Sequence, residues 1–147
     1  MIWSRPYTIE QLRGQFSATP HLAAHLGIEL TELGPDYLKG RMPVDGRTHQ
    51  PYGLLHGGAS CALAETLGSY AAALVVDRDS ARIVGLEINA NHVKAATDGF
   101  VVGTARPLHI GRTTQVWDIR IEAEATGTLI CVSRLTVAVI RRDRPAA

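Results

Sequence analysis

The sequence predicts an α+β fold in which a curved antiparallel sheet of about six strands wraps one long central helix. Residues 59–76, ASCALAETLGSYAAALVV, carry a single charge, at Glu65, and a helix that is apolar nearly all round must be covered on most sides. Apolar and polar residues then alternate in residues 82–93 and 115–125, as they do in half-buried strands. Short turns join the later strands, which makes the sheet antiparallel.

The first part of the chain predicts two short helices. Thr8 can cap a helix over IEQLRG, because its hydroxyl oxygen can accept a backbone N–H of the first turn. Pro20 suits the first turn of a second helix over HLAAHLG, and Gly27 suits its end. We therefore expect a helical segment before the sheet begins.

Two short strands and a loop are predicted before the long helix. Residues 28–34 and 37–44 have strand character on either side of the turn Gly34-Pro35-Asp36. Residues 45–55 contain Gly46, Pro51 and Gly53 and predict an ordered loop.

Four longer strands are predicted after the helix. In residues 82–93, RIVGLEINANHV, the alternation predicts a buried face made of Val84, Leu86, Ile88 and Ala90. Residues 100–108, 115–125 and 129–140 predict the other three strands, with HIGRT at 109–113 as a loop and Thr126-Gly127 as a tight reversal. The continuous apolar character of residues 129–140 predicts a central strand, and residues 141–147 are expected to form a frayed tail.

Length and composition are those of one soluble domain, which we expect to span residues 1–147. Apolar residues make up 46% of the chain and charged residues 20%, which argues against disorder. The formal charge of +1 gives no reason to expect nucleic acid as a partner. The N-terminus lacks the apolar core of a signal peptide, and the long helix contains too many polar residues for a membrane span, so we expect a cytoplasmic protein.

The cysteines and histidines predict no metal site. Cys61 and Cys131 match no metal-binding spacing and are expected to be reduced core residues. His92 and His109 have no cysteine or carboxylate beside them at ligand spacing.

Glu65 and the preceding His56-Gly57-Gly58 are the strongest indication of chemistry. An unpaired carboxylate in an apolar helix costs several kcal/mol, so such a residue is usually neutralised, paired or functional. A glycine pair before a helix leaves open backbone N–H groups that can receive a developing negative charge. An acid and an oxyanion binder together favour acyl transfer. Glu65 taken alone could also be a core acid paired with an arginine, or could point into solvent where the helix emerges.

The spacing of these groups predicts a site shared by two subunits. Gly57 and Glu65 are eight residues apart, or about 12 Å along the helix axis, whereas one reacting acyl carbon must lie about 3 Å from both groups. Two antiparallel helices from two subunits satisfy this requirement, with two sites in each dimer. Ser69 lies at i+4 from Glu65 and shares its face of the helix.

Several segments together resemble the hotdog-fold acyl-CoA thioesterases. They are QPYGLLHGGASCALAETLGSYAA at 50–72, VGLEINANHVKAA at 84–96, ARPLHIGRTTQVWDI at 105–119 and SRLTVAVI at 133–140. The resemblance covers nearly the whole chain and is to the branch that includes 4-hydroxybenzoyl-CoA and phenylacetyl-CoA thioesterases. Within it, the chain is most similar to 1,4-dihydroxy-2-naphthoyl-CoA thioesterases of menaquinone biosynthesis, whose close relatives also proofread aryl carrier proteins.

The resemblance implies a role for each matching residue. Glu65 would be the catalytic carboxylate, Gly57 would polarise the thioester carbonyl, Gln50 and His56 would help to hold that carbonyl or the acyl ring, and Ser69 would hold water or substrate. The coenzyme A moiety would be bound by Gly85, by His92, Val93, Lys94 and Ala95, and by His109, Ile110, Gly111, Arg112, Thr113 and Thr114. Lys94 stands where relatives often have arginine, which keeps the charge but loses bidentate phosphate recognition.

The expected function is therefore hydrolysis of a hydroxyaroyl-CoA ester by a homodimer assembled into a homotetramer. Coenzyme A enters as part of the substrate, and no separate cofactor, nucleic acid or membrane is expected. Glu65 can act as general base or as nucleophile, and the sequence leaves both open. The alternatives are a proofreading thioesterase for acyl or aryl carrier proteins, a broad-range acyl-CoA thioesterase, a hotdog dehydratase, and a non-catalytic acyl-CoA-binding protein.

Overall fold

The computed structural model describes residues 1–142 and confirms the α+β fold. A 19-residue helix packs on one face of a six-stranded antiparallel sheet. The elements are α1 (Ile9–Phe16), α2 (Leu22–His25), β1 (Glu29–Leu33), β2 (Leu38–Pro43), α3 (Gly57–Val75), β3 (Ala81–His92), β4 (Phe100–Ile110), β5 (Thr114–Ala123) and β6 (Leu129–Arg141).

The strand order is β1-β2-β4-β5-β6-β3, and every neighbouring pair is antiparallel. The predicted position of β6 is confirmed, because β6 lies between β5 and β3. The sheet in the described part of the chain therefore has two edges, formed by β1 and β3. The edge at β3 borders α3 and is the one that matters for the site.

The N-terminal helices form as predicted, with one difference at the second. Thr8 and Gln11 cap α1 reciprocally, since each side chain accepts the other residue's backbone N–H. Pro20 lies before α2 and not in its first turn, because the helix begins at Leu22. His21 is its N-cap, because Nδ1 of that ring accepts the N–H of Ala24 at 3.3 Å.

The core lies between α3 and the sheet. Leu63, Leu67 and Leu74 are fully buried. Leu67 fits because two facing strands have glycine beneath it: a Cβ on Gly40 or on Gly103 would lie 2.7 Å from a Leu67 methyl carbon. These glycines bring α3 close to the sheet and fix its height above the strands.

One face of α3 is only partly covered in the single chain. Cys61, Ala62, Glu65, Thr66 and Ser69 are all partly exposed, because the sheet covers only the opposite face. The helix also begins at Gly57, two residues before the predicted start, and so includes the glycine pair.

The predicted buried face of β3 is wrong in its first half. Val84 and Leu86 are 42% and 62% exposed, whereas Ile83, Ile88 and Ala90 pack against the core. A β-bulge between Gly85 and Glu87 explains the difference, since Leu86 is an extra residue with no partner in β6. One extra residue reverses which side chains face inward, so the alternation changes phase at the bulge.

Two boundaries near the end of the sheet also differ from the prediction. His109 and Ile110 belong to β4, which shortens the predicted loop to residues 111–113. Arg141 belongs to β6, and the Arg142 N–H donates to the Ser80 carbonyl at 2.9 Å. The rest of the predicted tail, residues 143–147, lies outside the described residues.

Candidate active site

His56 joins the loop to α3 and is held in one orientation. Its Nδ1 accepts the Gly58 N–H at 2.7 Å, and its backbone N–H donates to the Thr48 carbonyl at 2.8 Å. Because Nδ1 accepts, the proton of the neutral ring lies on Nε2. His56 therefore presents an N–H donor from the N-terminal end of α3.

Gly57 provides a second donor at the same place. Among residues 1–142 its backbone N–H has no acceptor, and it lies at the positive end of the α3 dipole. A Cβ at this position would lie 2.7 Å from Nε2 of His92, so the imidazole of that residue rests directly on the glycine. The close contact explains why residue 57 has no side chain.

Gln50 provides a third donor. Its Oε1 accepts the backbone N–H of Tyr52, and this bond leaves the amide Nε2 free to donate. The backbone of Gln50 is itself fixed, since its N–H donates to the Leu54 carbonyl at 2.8 Å and its carbonyl accepts the Gly53 N–H at 2.9 Å. The loop thus presents an oriented amide beside the start of α3.

Gln50 and Gly57 line one cleft of about 380 Å³, which we call the N-terminal cleft. The structure brings them together with four of the residues predicted to bind coenzyme A, His92, Val93, Lys94 and Ala95. Its other walls are Leu54, Leu55, Ser60, Ala96 and Ile130, which the sequence did not single out. Ser60 lies at i+3 from Gly57, and that spacing could have indicated it; Ile130 comes from a distant strand, and no local pattern could have found it.

Glu65 lies two turns further along the open face of α3. Among residues 1–142 its carboxylate has no hydrogen bond or ion pair, so the arginine partner of the alternative interpretation is absent there. On the sheet it faces Gly85, where a Cβ would lie 2.8 Å from Oε1 of the carboxylate. The structure therefore places Gly85 against the predicted catalytic acid.

Ser69 shares the open face of α3 with Glu65, as its i+4 spacing predicts. It lines a second cleft of about 240 Å³, which we call the Ser69 cleft. The other residues that line it are Ala73, Val76, Arg78, Ala81, Arg82, Ile83 and Arg142.

The second segment predicted to bind coenzyme A lies elsewhere in the same chain. Ile110, Gly111 and Arg112 line a separate cleft of about 290 Å³ together with Val75 and Val76, at the C-terminal end of α3. Within one chain, residues 92–95 therefore lie near the N-terminal end of α3 and residues 110–112 near its C-terminal end.

Two further groups are accounted for by their surroundings. The Arg106 guanidinium donates to Asp36 at 2.8 Å and lies 4.4 Å from the centre of the Tyr37 ring. Arg106 lines none of the three clefts described above. Burial raises the pKa of the Cys131 thiol to about 11, which keeps it protonated at neutral pH and excludes it as a nucleophile.

No group of three or more histidine, cysteine or acidic side chains in residues 1–142 is placed to hold a metal ion. Within the same residues, no helix has the length and apolar character needed to cross a membrane.

Comparison with known proteins adds a family to this geometry. Residues 52–130 match the thioesterase superfamily. The proofreading thioesterase EntH of Cronobacter turicensis is 54% identical over 140 residues, which are 95% of this chain and 99% of the relative. A Vibrio cholerae protein named only as an esterase is 54% identical over 144 residues, 98% of this chain and 93% of the relative.

A solved structure agrees with these sequence matches. The crystal structure of thioesterase HI1161 from Haemophilus influenzae superposes with a TM-score of 0.90 at 44% identity and covers 100% of both chains. The agreement extends over the whole fold, including the helix and sheet that carry the clefts.

Proposed function

The chain belongs to the thioesterase superfamily and is a thioester hydrolase, and we propose that it releases an aryl group held on the phosphopantetheine arm of a carrier protein. This carrier-protein substrate takes the place of the expected menaquinone-pathway substrate as the first candidate. The reason is that two relatives are named as proofreading thioesterases. Hydroxyaroyl-CoA, including 1,4-dihydroxy-2-naphthoyl-CoA, is the second candidate. The motifs at 54–60, 85–93 and 107–117 favour it, and coenzyme A carries the same phosphopantetheine arm.

The observation that carries the proposal is the pairing of oriented donors with a free carboxylate. Gln50 and Gly57 offer N–H groups to one cleft, and His56 offers another beside it. Such donors stabilise the charge that develops on a thioester oxygen during attack. Glu65 lies on the same helix without a partner among the described residues and is available to handle the water.

The reaction follows from these roles. The thioester oxygen accepts hydrogen bonds from the Gly57 N–H and from the side-chain donors. Glu65 takes a proton from water as the water oxygen bonds to the carbonyl carbon, or the carboxylate itself attacks to form a mixed anhydride that water then hydrolyses. The C–S bond breaks, and the thiolate leaves with the pantetheine arm. Ser69 would hold the water or the substrate.

One chain alone does not bring these groups to the same carbon. Gly57 and Glu65 are two turns of α3 apart, or about 12 Å along the helix axis. One reacting carbon cannot contact both groups across that distance. We therefore propose that the site forms between two subunits, with Glu65 of one subunit facing the partner subunit's Gly57.

The free edge of β3 supports a specific pairing of these subunits. Ladder positions are counted here as residues of β3 that have a partner in β6, so Leu86, the extra residue of the bulge, is not counted. Gly85 and His92 then lie three positions from Asn89, on opposite sides of it. A two-fold axis at Asn89 would pair the two β3 strands and set Gly85 opposite the partner subunit's His92. Glu65 lies against Gly85, and Gly57 lies against His92. The pairing would therefore bring Glu65 to the partner subunit's Gly57.

Thiol release from matched substrates tests the function. We expect the highest kcat/KM with a hydroxybenzoyl group on a carrier protein, a lower value with the same group on coenzyme A, and the lowest with a medium-chain acyl-CoA. The readout is a thiol-reactive dye with purified enzyme. Higher efficiency on hydroxyaroyl-CoA would favour the second candidate, and higher efficiency on the medium-chain ester would contradict the aryl assignment.

A further inference from the structure

We propose that the Ser69 cleft holds the acyl group and that its arginines select acyl groups carrying a carboxylate at the end remote from the thioester. The inference rests on the proposed function and concerns the substrate class of the same site. It starts from the charge and the position of this cleft, which the catalytic roles above do not use.

The cleft continues the open face of α3 beyond Glu65. Ser69 is one turn from the acid, and Ala73 and Val76 follow on the same side toward the end of the helix. In the shared site, the partner subunit's Gly57 and its N-terminal cleft meet Glu65 from the other side. A bound thioester therefore has two directions in which to extend from its carbonyl carbon.

The two clefts differ in what they can accept. The N-terminal cleft is the larger, at about 380 Å³, and is lined by Gln50, Ser60 and Lys94, which suit the amides and phosphate of a pantetheine arm. The Ser69 cleft, at about 240 Å³, has apolar walls from Ala73, Val76 and Ile83. A cavity of about 150 Å³ can hold benzene, so the smaller cleft has room for a substituted benzoyl group.

Three arginines line the Ser69 cleft: Arg78, Arg82 and Arg142. No acidic residue is among the described residues that line it, and none of the three arginines forms an ion pair within residues 1–142. Positive side chains are common near helix C-termini, but Arg82 belongs to β3 and Arg142 follows β6. Helix capping therefore does not explain their convergence.

A carboxylate is the group that this arrangement fits. Guanidinium groups bind carboxylates through paired, charge-assisted hydrogen bonds, which are stronger than bonds between neutral groups. An anion at the far end of the acyl group would also relieve the repulsion among the three arginines. A neutral acyl chain gains neither effect, so the cleft favours acyl groups with a remote negative charge.

The phosphates of coenzyme A are the other anions that could reach these arginines, and the experiment separates the two sources. Benzoyl and 4-carboxybenzoyl groups are compared as esters of coenzyme A and of N-acetylcysteamine, which has no phosphate. The quantity measured is the ratio of kcat/KM for 4-carboxybenzoyl over benzoyl with each thiol. The variants are Arg82→Gln and Arg78→Gln, and Arg120→Gln on exposed β5 surface is the matched control.

We expect the wild-type ratio to be about ten or more with both thiols, since a site that binds a polar group discriminates strongly against the analogue without it. The ratio should fall toward one in both cleft variants and stay unchanged in Arg120→Gln. A wild-type ratio near one overturns the inference. It is also overturned if the cleft variants lose kcat/KM only with coenzyme A esters, and by the same factor for benzoyl and 4-carboxybenzoyl, because the arginines would then bind the phosphates. If the wild-type enzyme releases a hydroxybenzoyl group from neither a carrier protein nor coenzyme A, the proposed function itself fails, whereas a ratio near one on esters that it does cleave overturns only this inference.

Discussion

At the scale of single residues, the glycines of the site are explained by what rests on them. Gly57 lies under the His92 imidazole, and Gly85 lies under the Glu65 carboxylate. Neither needs its conformational freedom, because both have negative backbone φ angles. A Cβ at either position would push the neighbouring side chain, the imidazole of His92 or the carboxylate of Glu65, out of its place.

Replacing the acid tests its role directly. Glu65→Gln should lower kcat by at least about 100-fold, in the range seen when a general base or nucleophile is lost. Substrate binding should persist, since the amide has nearly the same shape. Steady-state kinetics on the best substrate checks this, and a kcat close to that of wild type would remove Glu65 from the mechanism.

Gly85 offers a subtler test, because a methyl group there would displace the acid without changing it. In Gly85→Ala the new Cβ would lie 2.8 Å from Glu65 Oε1, so the carboxylate must move. We expect kcat to fall about 10-fold or more, since small misplacements of a catalytic group are costly. Gly14→Ala is the control, because a Cβ there meets no atom within 4 Å. Unchanged kcat in Gly85→Ala would show that this contact does not position the acid.

At the scale of the elements, α3 divides the two cysteines between different environments. Cys61 lies on the open face of the helix, whereas Cys131 on β6 is fully buried. The helix therefore has one side buried against the sheet and one side that is partly exposed to solvent, and the partly exposed side carries Glu65.

The two thiols should differ in reactivity. At pH 8 iodoacetamide should label Cys61 and leave Cys131 unmodified, because burial raises the pKa of Cys131 to about 11. The unfolded thiol ionises first, so stability should fall as pH rises from about 9 to about 11. Mass spectrometry of the folded and the urea-unfolded protein measures the labelling, and rapid native labelling of Cys131 would contradict its burial.

At the scale of the whole molecule, β3 combines a free edge with a bulge in its first half. Free edges of sheets tend to pair with other strands. Here the bulge also places Gly85 and His92 at equal distances from Asn89. A two-fold axis at Asn89 would therefore set Gly85 of each subunit opposite His92 of the other, and one dimer would complete two sites.

Cross-linking tests this pairing. Asn89→Cys should form a disulfide between subunits, since facing Cα atoms in an antiparallel pair lie about 4.5–5.5 Å apart, within the range that disulfides span. Asn91→Cys is the matched control: it lies on the same exposed face, but two ladder positions from the axis, so its two copies would be about 14 Å apart. Both variants carry Cys61→Ser. Non-reducing electrophoresis measures the dimer, and equal cross-linking of the two variants would refute this register.

Subunit exchange tests the shared site independently of register. Glu65→Gln and Gly57→Val should each be inactive alone, the second because valine would collide with His92 and block the oxyanion donor. A mixed dimer has one site with both changes and one with neither. Random exchange should therefore restore about a quarter of wild-type activity. Mixtures that exchange subunits fully and recover nothing would place Gly57 and Glu65 in the same site of one chain.

The sequence by itself determined the α+β fold and the long helix, and it singled out the residues that we propose for the site. Periodicity and turn residues are local, so they identified every strand and the capped helix at Thr8. A lone charge in an apolar helix and a glycine pair at its start are also local, and they indicated Glu65 and Gly57 before any contact was known.

The tertiary structure decided what depends on distant residues. It placed His92 on Gly57 and Gly85 against Glu65, left one face of α3 open, and brought Arg142 to the cleft of Ser69. It also reversed the inward face of β3, because a bulge is defined against the neighbouring strand and not by the strand's own alternation. The physical reason is the same in each case: these contacts join segments far apart in the chain, and only packing of the sheet against the helix brings them together.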